Sequence, residues 1–570
     1  MTTGNGIGNN DRLWSSKLLW AFYWVFILAS IILLVRITCL KVFWEPNPET
    51  AHLFRPKNEK SVIEPERGAI IDHNGKILAI TTPLYDIFMD CAVQKNTKKG
   101  KESWESKADR LAEALPEVLK EGGKDAAFYK KLFREGRRKN SRYLPVAKKV
   151  DHLTYLKIKE LPLFNEGKFK GGFIVEELDP RQYPYKSLAR SVIGYIREQE
   201  DVNKARRRGI ESKFDYALHG TPGLEWLRIT DNKGRIVDTD STAVAVIDGC
   251  DVRTTLDIDL QDIADKALRG QILDHSEIDG GCLVLMEVGT GAIRAMVNLT
   301  RDSEGRLNES YNLAIARAGE PGSIIKTATL MTLLEDGKVT LETKIPTNHG
   351  MMENVSPDEY IQKYERNNKT DKISILDGFK ISSNYVFRYL VKEHYGKTPS
   401  EYLGRLYTYG IGGRFDFELD GLANGYIPNP SRKGWSPTDL IQSAIGYSIQ
   451  TSPLHMVTFY NAVANKGKLM KPYIVESIEK DGEVLTQFEP QVLNGAICSK
   501  ATADTLLRAL KTVTSEGTAT RLKSAKCEVA GKTGTAWIVM DAKYTNGRGG
   551  LYRDENGNRQ YQATFVGFYP

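Results

Sequence analysis

The first strong pattern along the chain is an apolar run, residues 18–35 (LLWAFYWVFILASIILLV), which carries no charge. At about 1.5 Å per residue it reaches roughly 27 Å as a helix, close to the hydrocarbon thickness of a bilayer. Trp14, Trp20, Trp24 and Trp44 lie at or near its ends, where interfacial anchors sit. No small-residue cleavage site follows, and Cys39 comes after Arg36, Ile37 and Thr38. The run is therefore expected to be an uncleaved anchor rather than a signal peptide. Arg12 and Lys17 before it balance Arg36 and Lys41 after it, so charge leaves its orientation open. No second such run follows, which puts the rest of the chain on one side of the membrane.

Beyond a polar, Pro-containing stretch at 41–60, Ile/Leu/Val runs flank Asn74-Gly75, a hairpin signal. Residues 95–150 are lysine- and arginine-rich with helical spacing. From about residue 245 the pattern changes. Apolar residues alternate at 243–247, 252–256 and 283–286, helical spacing covers 323–335 and 380–393, and strand-like segments return at 473–479, 528–537 and 564–569. Strands, then helices, then strands predict an α+β domain with helices packed on a largely antiparallel sheet.

Composition narrows this picture only a little. A length of 570 residues suggests three or four domains, and 41% hydrophobic residues can fill proper cores. Lys+Arg 79 against Asp+Glu 72 gives +7, too mild to imply nucleic acid. The clusters Lys98-Lys99-Gly100-Lys101, Arg137-Arg138-Lys139 and Arg206-Arg207-Arg208 suit solvated helix faces, or a lipid- or glycan-facing patch. They lack the interleaved aromatics of a nucleic-acid module. Six cysteines without a Cys-x-x-Cys pair, and eight histidines without His-Glu-x-x-His, predict neither a disulfide scaffold nor a metal site.

Three motifs carry the candidate chemistry. In Pro321-Gly322-Ser323-Ile324-Ile325-Lys326, Ser323 and Lys326 fall one helical turn apart on one face. A serine hydroxyl needs an adjacent base, and an amine serves once burial and neighbouring charge lower its pKa. Lys326 is the only charge from 321 to 334. The other Ser-x-x-Lys, Ser477 to Lys480, lies in an alternating strand before Asp481-Gly482, where the two side chains point to opposite faces. Ser382-Ser383-Asn384 offers a hydroxyl to relay a proton and an amide to hold a substrate or the lysine, or else a plain helix N-cap. Lys532-Thr533-Gly534, followed by Thr535, offers a cation and two hydroxyls for a carboxylate beside a strand edge, or else a glycine-bearing strand with an exposed lysine.

Together and in this order, the three motifs resemble those of penicillin-binding proteins and serine β-lactamases. Arg67-Gly68-Ala69-Ile70-Ile71-Asp72-His73-Asn74-Gly75 is similar to the signature opening the pedestal of class B penicillin-binding proteins, with His73 in place of the usual Arg. Arg181-Gln182-Tyr183-Pro184, Val192-Ile193-Gly194-Tyr195, Gly209-Ile210-Glu211 and Gly220-Thr221-Pro222-Gly223 extend the likeness. So do Gly446-Tyr447, Thr451-Ser452-Pro453 and Gly517-Thr518-Ala519 in the catalytic half. The glycosyltransferase signature of bifunctional members is missing.

The resemblance implies a monofunctional peptidoglycan D,D-transpeptidase of the septal, division-associated type, with an elongation-type role as the alternative. It implies a cytoplasmic tail (1–17), a transmembrane anchor (18–40), an elongated α+β stalk and pedestal (41–245) and an α+β transpeptidase domain (246–570) with an antiparallel sheet flanked by helices. Ser323 would be the nucleophile, Lys326 its base, and Ser382 with Lys532 a proton relay. Asn384 would hold the substrate amide, Thr533, Gly534 and Thr535 would line the carboxylate site, and the N–H groups of Ser323 and Thr535 would form the oxyanion hole. No metal or organic cofactor is implied. The implied partners are stem peptides on lipid-linked glycan strands, β-lactams, the membrane, a membrane glycosyltransferase and other division proteins. The implied place is the bacterial inner membrane, N-terminus inside and catalytic domain outside. A family member would continue past 564–570 with another strand and a helix, so the chain is expected to be C-terminally truncated. A membrane β-lactam sensor would want more spans or an effector domain, a β-lactamase would want no long pedestal, and a non-catalytic scaffold would not need all three motifs.

Overall fold

A computed structural model of the chain describes residues 9–43, 57–63, 65–93, 98–120, 124–178, 181–195, 209–230, 235–239, 244–353, 355–539, 552–553 and 558–570. Residues 44–56 of the expected stalk, the Arg206-Arg207-Arg208 cluster and most of the polar stretch 541–557 lie outside the described residues.

The apolar run forms one helix, Asn9–Phe43, whose stretch Leu19–Cys39 is long and apolar enough to cross a bilayer. Its Leu19, Trp20, Phe26, Ile32 and Leu34 side chains are all exposed. This helix belongs to a compact unit made of residues 1–64 and 221–247. In the same unit Lys57–Ile63 pairs antiparallel with Gly223–Thr230, which pairs with Arg235–Thr239.

The second unit comprises residues 65–220 and 248–570. Its six-stranded sheet runs Glu483–Gln487, Val475–Lys480, Asp251–Thr254, Ile70–Ile71, Ile77–Thr81 and Arg181–Gln182 in spatial order. All pairs are antiparallel except Asp251–Thr254 with Ile70–Ile71. The sheet thus weaves strands from both sides of position 245, because Ile70 and Val252 share one buried core. The Asn74-Gly75 hairpin closes as its sequence predicts. Gly75 takes φ +86°, and Asp72 Oδ1 accepts the N–H groups of Asn74 and Lys76 at 2.9 and 2.7 Å. The second Ser-x-x-Lys likewise lies in a hairpin, Val475–Lys480 with Glu483–Gln487.

The basic region divides into two helices and a strand. Lys98–Leu119 and Ala126–Lys139 pack over a sheet in which Leu84–Met89 runs between Leu144–Asp151 and Phe173–Leu178. Helical spacing ends at Asn140, left-handed at φ 59°, and Val146 and Val150 then alternate inward. Arg137 is not solvated. It is buried 4.4 Å from the Trp104 ring and donates to the carbonyls of Cys91 and Val93 at 2.5 and 2.6 Å.

In the C-terminal half, Gly280–Met286, Ile293–Arg301 and Leu307–Asn308 form one antiparallel sheet, and Ala530–Trp537 pairs antiparallel with Tyr561–Phe568. The helix Pro453–Ala464 packs on both Gly280–Met286 and Tyr561–Phe568. At the centre lies Lys326–Glu335, buried from Lys326 through Leu333 and packed by Asn384–Tyr395, Pro399–Thr408 and Lys500–Ser515. Two expected helices are shorter than their spacing suggests. Residues 322–325 make a 3₁₀ turn before the α-helix begins at Lys326, and the 380–393 stretch is interrupted at 381–383.

Candidate active site

Two close backbone approaches seat Ser323. Gly322 has φ +61°, and a Cβ there would meet the Thr535 carbonyl oxygen at 2.6 Å. A Cβ on Gly534 would meet Ile324 N at 3.2 Å. The turn holding Ser323 therefore rests directly on the Ala530–Trp537 strand, and side chains larger than hydrogen would push the two apart. Behind it, Tyr460 Oη donates to Ile324 O at 2.8 Å, so Thr327 Oγ1 must donate to Tyr460 at 2.7 Å. Thr329 with Tyr402 (2.9 Å) and Thr332 with Tyr409 (3.1 Å) continue these buried hydroxyl pairs down the helix.

The Ser-Ser-Asn turn links Ile375–Lys380 to Asn384–Tyr395. Ser382 is left-handed at φ +60°, which costs a non-glycine residue on the order of 1 kcal/mol. Ser383 caps the second helix by accepting from Val386 N, so the capping role also exists, but on Ser383. Asp358 holds the turn from a distant segment. Its Oδ2 accepts from Ser383 Oγ at 2.7 Å and Tyr385 N at 2.9 Å.

The structure brings Ser323, Lys326, Ser382, Asn384 and Lys532 together. Lys326 Nζ lies 3.0 Å from Ser323 Oγ, 2.6 Å from Ser382 O, 3.3 Å from Ser382 Oγ and 2.7 Å from Asn384 Oδ1. Lys532 Nζ donates to Ser382 Oγ at 2.8 Å and to Thr533 O at 3.1 Å. Both lysines are fully buried, whereas Ser323, Ser382 and Asn384 are half-buried. Phe387 and Phe379 lie 5.9 and 5.8 Å from the two ammonium positions. Gly534 is buried, and Thr533 Oγ1 is 2.6 Å from Thr518 Oγ1, while Thr535 is exposed on the same strand face.

Electrostatics follow from burial without a counter-charge. Desolvation pushes the Lys326 amine well below its ordinary value; Lys532 and Arg388 add to the shift and Asp358 opposes it. Desolvation alone brings Lys532 down to about 7. Such a pair can hold one amine neutral as a base beside a hydroxyl, with the second near its titration point next to the shared Ser382.

Sequence reasoning missed Asp358, Tyr460 and Arg388. Asp358 carries an N-cap signal for Glu359–Asn368, but nothing along the chain ties it to Ser383. Arg388 is a single residue in an amphipathic helix and Tyr460 one in a helix buried nearly all round, and neither carries a motif.

The penicillin binding protein transpeptidase domain family matches residues 281–570, and the penicillin-binding protein dimerisation domain family matches residues 62–254. A probable peptidoglycan D,D-transpeptidase PenA of Neisseria meningitidis serogroup A is 26% identical over 515 residues, covering 88% of this chain and 77% of that protein. Stage V sporulation protein D of Bacillus subtilis is 27% identical over 530 residues, covering 89% and 72%. The crystal structure of penicillin binding protein 2X from Streptococcus thermophilus has the same fold, with a TM-score of 0.67 at 19% identity over 89% of this chain and 74% of that one.

Proposed function

This chain belongs to the class B penicillin-binding proteins, and we propose that Ser323 is the nucleophile through which it forms an acyl-enzyme. It is a peptidoglycan D,D-transpeptidase that binds β-lactams. The observation that carries the assignment is the geometry at Lys326. A neutral amine has two protons and one lone pair, and its two shortest contacts, Ser382 O and Asn384 Oδ1, can only accept. The two protons go there, which leaves the lone pair for the hydroxyl proton of Ser323 at 3.0 Å.

On this reading Ser323 Oγ attacks the carbonyl of the penultimate D-alanine and gives its proton to Lys326. The backbone N–H groups of Ser323 and Thr535 stabilise the oxyanion. Ser382 Oγ accepts from Lys532, so its own proton is free to pass to the leaving nitrogen of the terminal D-alanine, and Lys326, 3.3 Å away, hands Ser382 the proton it took from Ser323 and returns to the neutral amine. Thr533 and Thr535 hold the terminal carboxylate, whose negative charge raises Lys532 from about 7 and keeps it cationic. An amine from a second stem then takes the acyl group and frees Ser323.

The helix Asn9–Phe43 anchors the protein with its N-terminus in the cytoplasm, because the lipid-linked glycan is cross-linked outside. The long pedestal favours a division-associated role beside a membrane glycosyltransferase. Incubation of the full chain with a fluorescent penicillin tests the site: wild type should carry a covalent label and Ser323→Ala none. Label on the variant would reject Ser323.

A further inference from the structure

Past Thr535 the strand runs into a cluster that the steps above do not use. Trp537 lies on the same strand face as Thr533 and Thr535. Its ring centroid is 5.9 Å from Tyr447 and 5.4 Å from Tyr552, and the Arg559 guanidinium stacks over it at 3.8 Å. Glu320, three residues before the nucleophile, is only 8% exposed. Its Oε1 accepts from Ser448 N at 2.9 Å and Tyr552 Oη at 3.1 Å, while Oε2 has no partner among the described residues. Arg559 Nε is also buried without a partner, and no ion pair joins it to Glu320 among the described residues. Tyr447 sits in the field of both charges and follows Gly446, where a Cβ would meet Gly322 O at 2.1 Å. The cluster therefore abuts the turn that carries Ser323.

The direction of a bound donor follows from the transpeptidase reading, on which this inference rests. Its terminal carboxylate lies at Thr533 and its scissile carbonyl at Ser323 beside Thr535. One edge of Ala530–Trp537 pairs with Tyr561–Phe568, and no strand pairs with the other among the described residues. An extended donor added along that free edge advances about 6.7 Å per two residues. The third residue of the stem, which precedes the two D-alanines, then lies beside Trp537.

We propose that Glu320, Tyr447, Trp537, Tyr552 and Arg559 form a subsite for a zwitterionic side chain at that third position, the amino-carboxylate end of a 2,6-diamino diacid. Arg559, held over the indole, presents a planar fork that matches a carboxylate. The unpartnered Oε2 of Glu320 accepts from the ammonium. Burial holds the Glu320 carboxyl above its ordinary range, and an arriving ammonium favours its charged form. A lysine at the third position would satisfy Glu320 and leave Arg559 unused.

Three penicillins with amide side chains of equal length, ending in an amino-carboxylate, a lone amine or a methyl group, test the subsite on the full chain in detergent. The measurement is the second-order rate constant of acylation. In wild type the amino-carboxylate probe should react about tenfold faster than the methyl probe, the scale of one charge-assisted contact. Arg559→Ala should bring that ratio close to one. Glu320→Gln should lower the rates of both amine-bearing probes relative to the methyl probe. The subsite is overturned if wild type shows no preference, or if the ratio survives Arg559→Ala. A wild-type chain acylated by none of the three probes would instead reject the transpeptidase reading and the subsite with it.

Discussion

Two groups of buried charge within the same compact unit are built on opposite principles. In the pedestal half, Glu211 is 1% exposed and receives Arg67 on Oε2 at 2.8 Å and Arg181 on Oε1 at 2.8 Å, while Arg67 also reaches Asp215 at 2.6 Å. Every cation there meets a carboxylate. In the catalytic half, Lys326 and Lys532 are as deeply buried, but their hydrogen bonds go only to serine, threonine and asparagine oxygens. Opposite charge returns the desolvation cost of the first group, and it holds segments together. Neutral acceptors do not return it for the second, so both lysines shift toward the neutral form, as the base and relay roles proposed for them require.

The comparison is tested most sharply by exchanging one charge in each group. Lys326→Met removes the base but also removes a buried, unpaired amine. The acylation rate should fall by 10³-fold or more, as expected when a nucleophile loses its general base, while the melting temperature stays equal or rises. Glu211→Ala should do the reverse. It leaves two buried guanidinium groups without their carboxylate and should lower folding stability by about 3–5 kcal/mol in denaturant melts. Penicillin labelling of the fraction still folded should persist. Were Lys326→Met the unstable variant and Glu211→Ala the inert one, the contrast between the two groups would be wrong.

Legibility in the sequence follows the same division. Ser323, Lys326, Ser382, Asn384 and Lys532 are recognisable because the reaction proposed for them would constrain their types, and they fall in three ordered motifs. Arg67, Arg181 and Glu211 stand in three separate pedestal-like stretches, but nothing along the chain says that they meet in one ion cluster. The apolar helix and the Asn74-Gly75 hairpin are local, and periodicity and turn chemistry settle both. The helix start at Asn384 is signalled by its N-cap residues, but the left-handed turn before it is not, because Ser382 adopts φ +60° against its own propensity. That conformation is held by contacts to Asp358, and a carboxylate 24 residues before Ser382 leaves no trace in the local pattern.

Asp358 therefore offers the finest test, since it acts on Lys326 both by holding the turn and by its charge. Three charged groups act on Lys326: Lys532 and Arg388 lower its pKa and Asp358 raises it. Asp358→Asn keeps a carbonyl that can accept from Ser383 and Tyr385, yet removes the negative charge. The Lys326 pKa then falls further, so the neutral base persists to lower pH. The acid limb of the acylation rate should move to lower pH, and the optimum rate should fall a few-fold at most. A role confined to positioning predicts a lower rate with the limb unmoved. The pH profile of fluorescent-penicillin acylation, measured side by side for wild type and Asp358→Asn, separates the two, and a limb displaced upward would contradict both.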